Sequence, residues 1–117
     1  MMGLVVKHFD GVPVVQPRED IDASNARQLR DELSRCLEDA DRMVLDLSET
    51  RYVDSAGIDM LFRLNDLLAQ RRASLALVIP QSSSLTRLAQ IVALPSVVPI
   101  HETVEQALAD RSTPTGA

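Results

Sequence analysis

The sequence predicts an α/β fold: a single domain with a mixed β-sheet, an N-terminal hairpin followed by parallel strands, and about four helices. Three observations carry that expectation. Short apolar runs at 4–9, 12–16, 43–47, 74–79 and 97–100 have the length and composition of strands. Between the later runs lie segments with apolar residues at helical spacing, and strands joined by helical crossovers run parallel. Finally, 117 residues, 45% of them hydrophobic, suffice for one self-supporting core and leave no room for a second domain.

The elements follow in order. Asp10-Gly11, between the first two runs, supplies the positive φ angles of a tight hairpin turn. Pro13 has no N–H to donate, so it is expected at a strand start or facing an edge. After Pro17, the polar stretch Arg18-Glu19-Asp20 leads to Asp22, which is placed to cap a helix whose apolar face is Ala26, Leu29, Leu33, Cys36 and Leu37. Cys36 is the only cysteine, cannot form an internal disulfide, and reads as a buried core thiol from a reducing compartment. A polar connection, Glu38 to Asp41, precedes the strand at 43–47, and residues 48–53 form a loop.

The next helix, expected from about Ala56 to Arg71, spreads Ile58, Met60, Leu61, Phe62, Leu64, Leu67 and Leu68 over roughly 220° of its circumference. A helix on one sheet needs a stripe little wider than ~100°. Either neighbouring helices cover the excess or Met60, Leu64 and Leu67 belong to a docking surface. Ser74 to Ile79 is a continuous apolar run closed by Pro80, as in an interior strand. Ser82-Ser83-Ser84 reads as a loop and cap for a helix carrying Leu85, Leu88, Ile91 and Val92, ended by Leu94-Pro95. A short strand, Val97 to Ile100, carries Pro99, and Thr103-Val104-Glu105-Gln106 fits a capping box opening a last helix. The domain is expected over 1–111, with Ser112 to Ala117 a disordered tail.

Composition excludes several function classes. The net charge is −5, and the densest basic spot, Arg71-Arg72, falls at a helix end, where cations suit the dipole. With three aromatics the chain lacks stacking platforms, so nucleic acid is not an expected partner. No run approaches the ~18 apolar residues of a membrane span, and no targeting segment is evident, so the protein is expected to be cytoplasmic without direct membrane insertion. Two histidines and one cysteine on separate elements make no metal site, Asp20 and Asp22 read as a solvated turn and a cap, and no glycine-rich phosphate loop is present. No cofactor is expected.

Sites in such sheets lie at the carboxyl ends of the strands, where the loop 48–57 and Asp22 would meet. The stretch Arg42 to Phe62 delivers Ser55 from a buried strand to a helix start, where backbone N–H groups are unpaired and the dipole is positive. A hydrolase nucleophile would need Gly-x-Ser-x-Gly, but the first glycine position holds Val53, and only His8 and His101 could serve as base. A phosphoaspartate receiver would place an acid at Asp54 but lacks the acidic pair and the lysine that such a site needs. Two readings remain. Ser55 caps its own helix, with Gly57 easing the turn, or Ser55 is a phosphate acceptor. Phosphorylation would add about −1.5 to −2 charge beside Asp54, and near Asp22, repelling a partner packed there.

Met43-Val44-Leu45-Asp46-Leu47-Ser48 followed by Tyr52-Val53-Asp54-Ser55-Ala56-Gly57-Ile58 resembles the signature of STAS domains, particularly bacterial anti-sigma factor antagonists. Asp20-Ile21-Asp22-Ala23-Ser24-Asn25-Ala26 is similar to that family's segment leading into its first helix. The resemblance implies partner switching rather than catalysis. Unphosphorylated, such a protein binds an anti-sigma factor that is also a serine kinase; phosphorylation ends the binding and a serine phosphatase restores it. Carried across, Ser55 is the acceptor, Asp54 and Asp22 are the acidic neighbours and Gly57 is the turn glycine. Ala56, Ile58 and Asp59 complete the expected partner-binding edge. Ala56 stands where the family often has a second hydroxyl, Asp59 where it commonly has glycine, and Pro17-Arg18-Glu19 where many relatives have a glycine-containing turn. A second implication is a STAS scaffold or accessory subunit of a membrane transporter or signalling assembly.

Overall fold

In a computed structural model, which describes residues 3–110, one sheet is built from β1 (Leu4–Phe9), β2 (Val12–Pro17), β3 (Arg42–Asp46), β4 (Ser74–Val78) and β5 (Ile100–His101). The spatial order follows the chain, β1-β2-β3-β4-β5, with β1 antiparallel to β2 and every later pair parallel. Four α-helices alternate with these strands: α1 (Ala26–Leu37), α2 (Ser55–Gln70), α3 (Leu85–Ile91) and α4 (Val104–Ala109). This is the expected mixed sheet. The expected tail at 112–117 lies outside the described residues.

The hairpin closes through Asp10 and Gly11, both with positive φ (51° and 80°), as the Asp-Gly pair dictates. Pro13 pairs with His8 at the start of β2, just before the parallel register with β3 begins at Val14 and Val44, so its missing N–H breaks no bond of that ladder.

Strand alternation sorts the core into two layers. Val15, Met43, Leu45, Leu75 and Leu77 face a large core with Leu29 and Leu33 of α1, Leu61, Leu64 and Leu68 of α2, and Leu85 and Ala89 of α3. Val14, Val44 and Val78 face the other way, onto Ala107 of α4. Arg42 fastens α4 there, donating from its guanidinium to the Ala107 carbonyl at 2.6 Å. The broad apolar face of α2 is explained by α1 packing beside it: Met60 and Leu64 are buried, and Leu67 is half-buried.

Two local expectations need correction. The strand foreseen at 97–100 begins only at Ile100, after a 3₁₀ turn at Leu94–Ser96. The N–H groups of Val97 and Val98 both bond to the Leu94 carbonyl (3.0 Å) and Pro99 has none, so bonding to β4 starts only at the Pro99 carbonyl, which accepts from Leu77 N–H at 2.9 Å. Cys36 is half-buried rather than sealed in the core. It lines a cleft of about 260 Å³ with His8, Pro13 and Glu38, at the end of the strands opposite to α2's start, and burial pushes its thiol pKa up. Among the described residues no helix is long and apolar enough to cross a membrane.

Leu64 is fully buried between α2 and its neighbours. Leu64→Ala is expected to destabilise the fold by about 2–5 kcal/mol, read from the urea-unfolding midpoint at unchanged slope.

Candidate functional site

Three loops meet at the carboxyl ends of the parallel strands: residues 18–25 after β2, 47–54 after β3 and 79–84 after β4. At the end of β3 the buried Asp46 carboxylate accepts from Gln16 Nε2 and from the Ser48 N–H, both at 3.0 Å, which fixes the direction in which the chain leaves the sheet. The first two loops then rejoin. Ile21 and Val53 form a parallel bridge, with Ile21 N–H to the Tyr52 carbonyl (3.0 Å) and Asp54 N–H to the Ile21 carbonyl (3.1 Å). Asp22 and the Asp54-Ser55 pair are thereby adjacent, as the strand-end rule anticipated.

Capping is divided differently from the expectation. Asp54, not Ser55, is the N-cap of α2: its extended backbone and its carboxylate, accepting from Gly57 N–H at 2.9 Å, satisfy a donor of the first turn. Its other oxygen takes the Ala23 N–H at 3.3 Å, tying α2 to the loop after β2. Ser55 is the first helical residue, exposed, and its hydroxyl makes no hydrogen bond among the described residues. Nor does Asp22 cap α1, which begins three residues beyond Ala23 with Asn25 at the N-cap position. Instead the Asp22 carboxylate accepts from the hydroxyl and the N–H of Ser24, closing a turn, while Asn25 Oδ1 accepts from Asp22 N–H. Those bonds, the Ser24 hydroxyl first, hold the Asp22 carboxyl below its ordinary pKa.

Gly57 serves close approach rather than a turn. It is buried in the first turn of α2, and a Cβ there would lie 2.5 Å from Val53 Cγ1 and 2.9 Å from the Ile21 carbonyl oxygen. Ala56 and Ile58 are half-buried against the core. Asp59 is exposed and paired with Arg63 one turn later at 2.6 Å, so its charge is compensated within α2. Ser55 and Asp59 are thus the exposed members of the expected edge.

His101 does not approach this site. It registers with Val78 on the face covered by α4, stands 3.3 Å from the Asp110 carboxylate, and has β4 between it and β3. Ser55 therefore has neither histidine as a base: His8 lies on β1, beyond β2 from β3. No cluster of three or more His, Cys, Asp or Glu side chains suited to a metal occurs among the described residues.

From sequence, Asp20 reads only as a solvated turn and Ser84 only as part of a loop and cap, and neither is expected at the site. Asp20 Oδ1 accepts from the N–H groups of Arg51 (3.3 Å) and Tyr52 (3.2 Å), and the Ser84 hydroxyl donates to the Arg51 carbonyl at 2.7 Å. The only signals available were an aspartate in a polar turn and a serine run before a helix, neither of which names a partner 31 or 33 positions away.

A model of the STAS domain matches residues 4–107. The chain belongs to the STAS domain family. Among solved structures, this STAS domain is similar to an anti-sigma factor antagonist from Mycobacterium paratuberculosis (TM-score 0.79, 24% identity, 92% of each chain covered). It is also similar to a putative anti-sigma factor antagonist from Thermotoga maritima (TM-score 0.80, 20% identity, 90% of this chain and 91% of that one). The anti-sigma factor antagonist SpoIIAA in its unphosphorylated form gives a TM-score of 0.69 at 15% identity, over 91% of this chain and 93% of its own. The phosphorylated form of SpoIIAA, from Bacillus, has also been solved. At these identities the likeness establishes a shared fold.

Two predictions follow from the geometry of this STAS domain. Gly57→Ala is expected to destabilise it by about 1–3 kcal/mol in urea unfolding, because Val53 and the Ile21 backbone must give way. Ser24→Ala is expected to raise the Asp22 pKa toward the ordinary aspartate value, followed by carboxyl-carbon NMR. Because Asp22's pKa is lowered in the fold, its contribution to stability is present above the unfolded aspartate value and fades as pH falls through the folded one.

Proposed function

We propose that this STAS domain is an anti-sigma factor antagonist that works by partner switching, with Ser55 as the switch. The unphosphorylated protein binds an anti-sigma factor with serine kinase activity through the edge formed by Asp22, Asp54, Ser55, Ala56, Gly57, Ile58 and Asp59. In the bound complex the kinase transfers the γ-phosphoryl group of ATP to Ser55 Oγ; ADP leaves, and a base of the kinase takes the hydroxyl proton. The domain is the substrate of that reaction, holds no cofactor of its own and acts in the cytoplasm. A serine phosphatase restores the hydroxyl.

The observation that carries this reading is the division of roles at the start of α2. Asp54 does the capping, so the Ser55 hydroxyl is exposed and unengaged, and converting it to a phosphoester removes no hydrogen bond from the fold. The added dianion stands next to Asp54, whose carboxylate bonds the loop that carries Asp22, and on an exposed position, so charge repulsion acts on the partner-binding edge rather than on the core. That SpoIIAA has been solved in both phosphorylation states fits the same scheme.

The test mixes the protein with the anti-sigma factor kinases of its own genome and Mg-ATP, read by intact mass and by size exclusion. One phosphate is expected on the wild type, followed by dissociation; Ser55→Ala is expected to stay unmodified and bound. If no kinase associates with the protein and Ser55 is never modified, the reading is wrong. Ser55→Asp is expected to weaken binding, by less than phosphate does, since a carboxylate carries less charge.

A further inference from the structure

We propose that Asp20 and Ser84 are positioning residues for Ser55, clamping the peptide groups of Arg51 and Tyr52 and so setting the loop from which the acceptor serine is presented. This inference rests on the reading of Ser55 as the phosphoacceptor. The segment concerned joins β3 to α2 and passes between the two flanking loops. Side-chain burial places Thr50 and Val53 on either side but not the pair between them, since Arg51 is exposed and Tyr52 is 57% exposed. Polar contacts do so instead. From the side of β2, one oxygen of Asp20 receives two successive N–H groups, those of Arg51 and Tyr52. From the side of β4, the Ser84 hydroxyl, at the N-cap position of α3, donates to the Arg51 carbonyl at 2.7 Å.

Arg51 is therefore gripped at both its N–H and its C=O by side chains of different loops. Asp20 is itself held, because Asn25 Nδ2 donates to its backbone carbonyl at 2.8 Å. One residue further on, the Tyr52 carbonyl accepts from Ile21 N–H, and Val53 and Asp54 lead directly into Ser55. Releasing the clamp leaves the Ile21–Val53 bridge and the core in place but frees the Arg51-Tyr52 peptide immediately before them, loosening the support from which Ser55 is presented. Phosphoryl transfer requires the acceptor oxygen in line with the γ-phosphate, so a small misplacement of Ser55 lowers the chemical step more than it lowers association.

The experiment measures kcat and KM for phosphorylation of the full chain by its cognate kinase, alongside thermal unfolding. Asp20→Ala and Ser84→Ala are each expected to lower kcat by about tenfold with KM changed less, while both remain folded at the assay temperature. Asp20→Asn keeps an oxygen acceptor and Ser84→Thr keeps the hydroxyl; both are expected within about threefold of wild type. The double alanine variant is expected to lose less than the product of the single losses, because both groups hold the same peptide.

Three outcomes overturn the proposal. An Asp20→Asn variant as slow as Asp20→Ala shows that the carboxylate acts through its charge on the partner and not by holding the loop. Alanine variants that match the wild type leave no positioning role, and losses that merely track the unfolded fraction make the role one of stability. Amide exchange at Arg51 to Ser55, followed by NMR without any kinase, gives a second readout: faster exchange is expected in both alanine variants, and unchanged exchange refutes the clamp. If no kinase modifies the wild type, the phosphoacceptor reading falls and the exchange data alone decide the clamp.

Discussion

The bridge between Ile21 and Val53 is the constraint on which the site depends. The parallel ladder of β2 and β3 ends near Val15 and Leu45, the segments beyond it are linked through side chains, Gln16 to Asp46 and Asp20 to the N–H groups of Arg51 and Tyr52, and this bridge restores backbone pairing. Both side chains are buried, so the pairing is anchored from below by the core and from the side by two backbone hydrogen bonds. Unpaired, those N–H and C=O groups would lose water without a replacement partner. The absence of a Cβ at Gly57 then allows the first turn of α2 to seat against the bridge. Two loops and a helix start become one rigid unit.

That unit puts the helix cap and the exposed hydroxyl on different residues. A serine before a helix ordinarily caps it, and a capping hydroxyl is engaged. Here the carboxylate of Asp54 spans the gap between Gly57 and Ala23, which leaves Ser55 at the first helical position with its side chain outward. The arrangement keeps the helix satisfied whatever happens to the serine. It also leaves negative charge beside the position: Asp54 is next to the serine and Asp22 lies in the loop that Asp54 bonds, with both carboxylates held by donors at Gly57, Ala23 and Ser24. Asp59, by contrast, is neutralised by Arg63 and contributes little to that field.

The two faces of the sheet have different jobs. The face under α1, α2 and α3 holds most of the buried aliphatic side chains and sets the position of α2. The other is covered, among the described residues, by α4, fastened by Arg42 and bounded by the His101–Asp110 pair. His101 belongs to that second layer, which is why its lateness in the chain does not translate into proximity to Ser55.

The sequence by itself determined the hairpin, the strand and helix alternation and the cluster around Ser55. Those features are local: Asp10-Gly11 accepts positive φ, apolar spacing shows which residues face a core, and Asp54-Ser55-Ala56-Gly57 sits within a few residues of chain. Only the tertiary structure decided which residue caps α2, why position 57 must be glycine and that Asp20 and Ser84 hold the peptide of Arg51. Each of those facts is a distance between groups far apart in the chain, and hydrophobic periodicity carries no information about which polar side chain a distant backbone group will meet. The breadth of α2's apolar face was readable as a pattern, but its meaning, a neighbouring helix rather than an open docking surface, depended on where α1 came to lie.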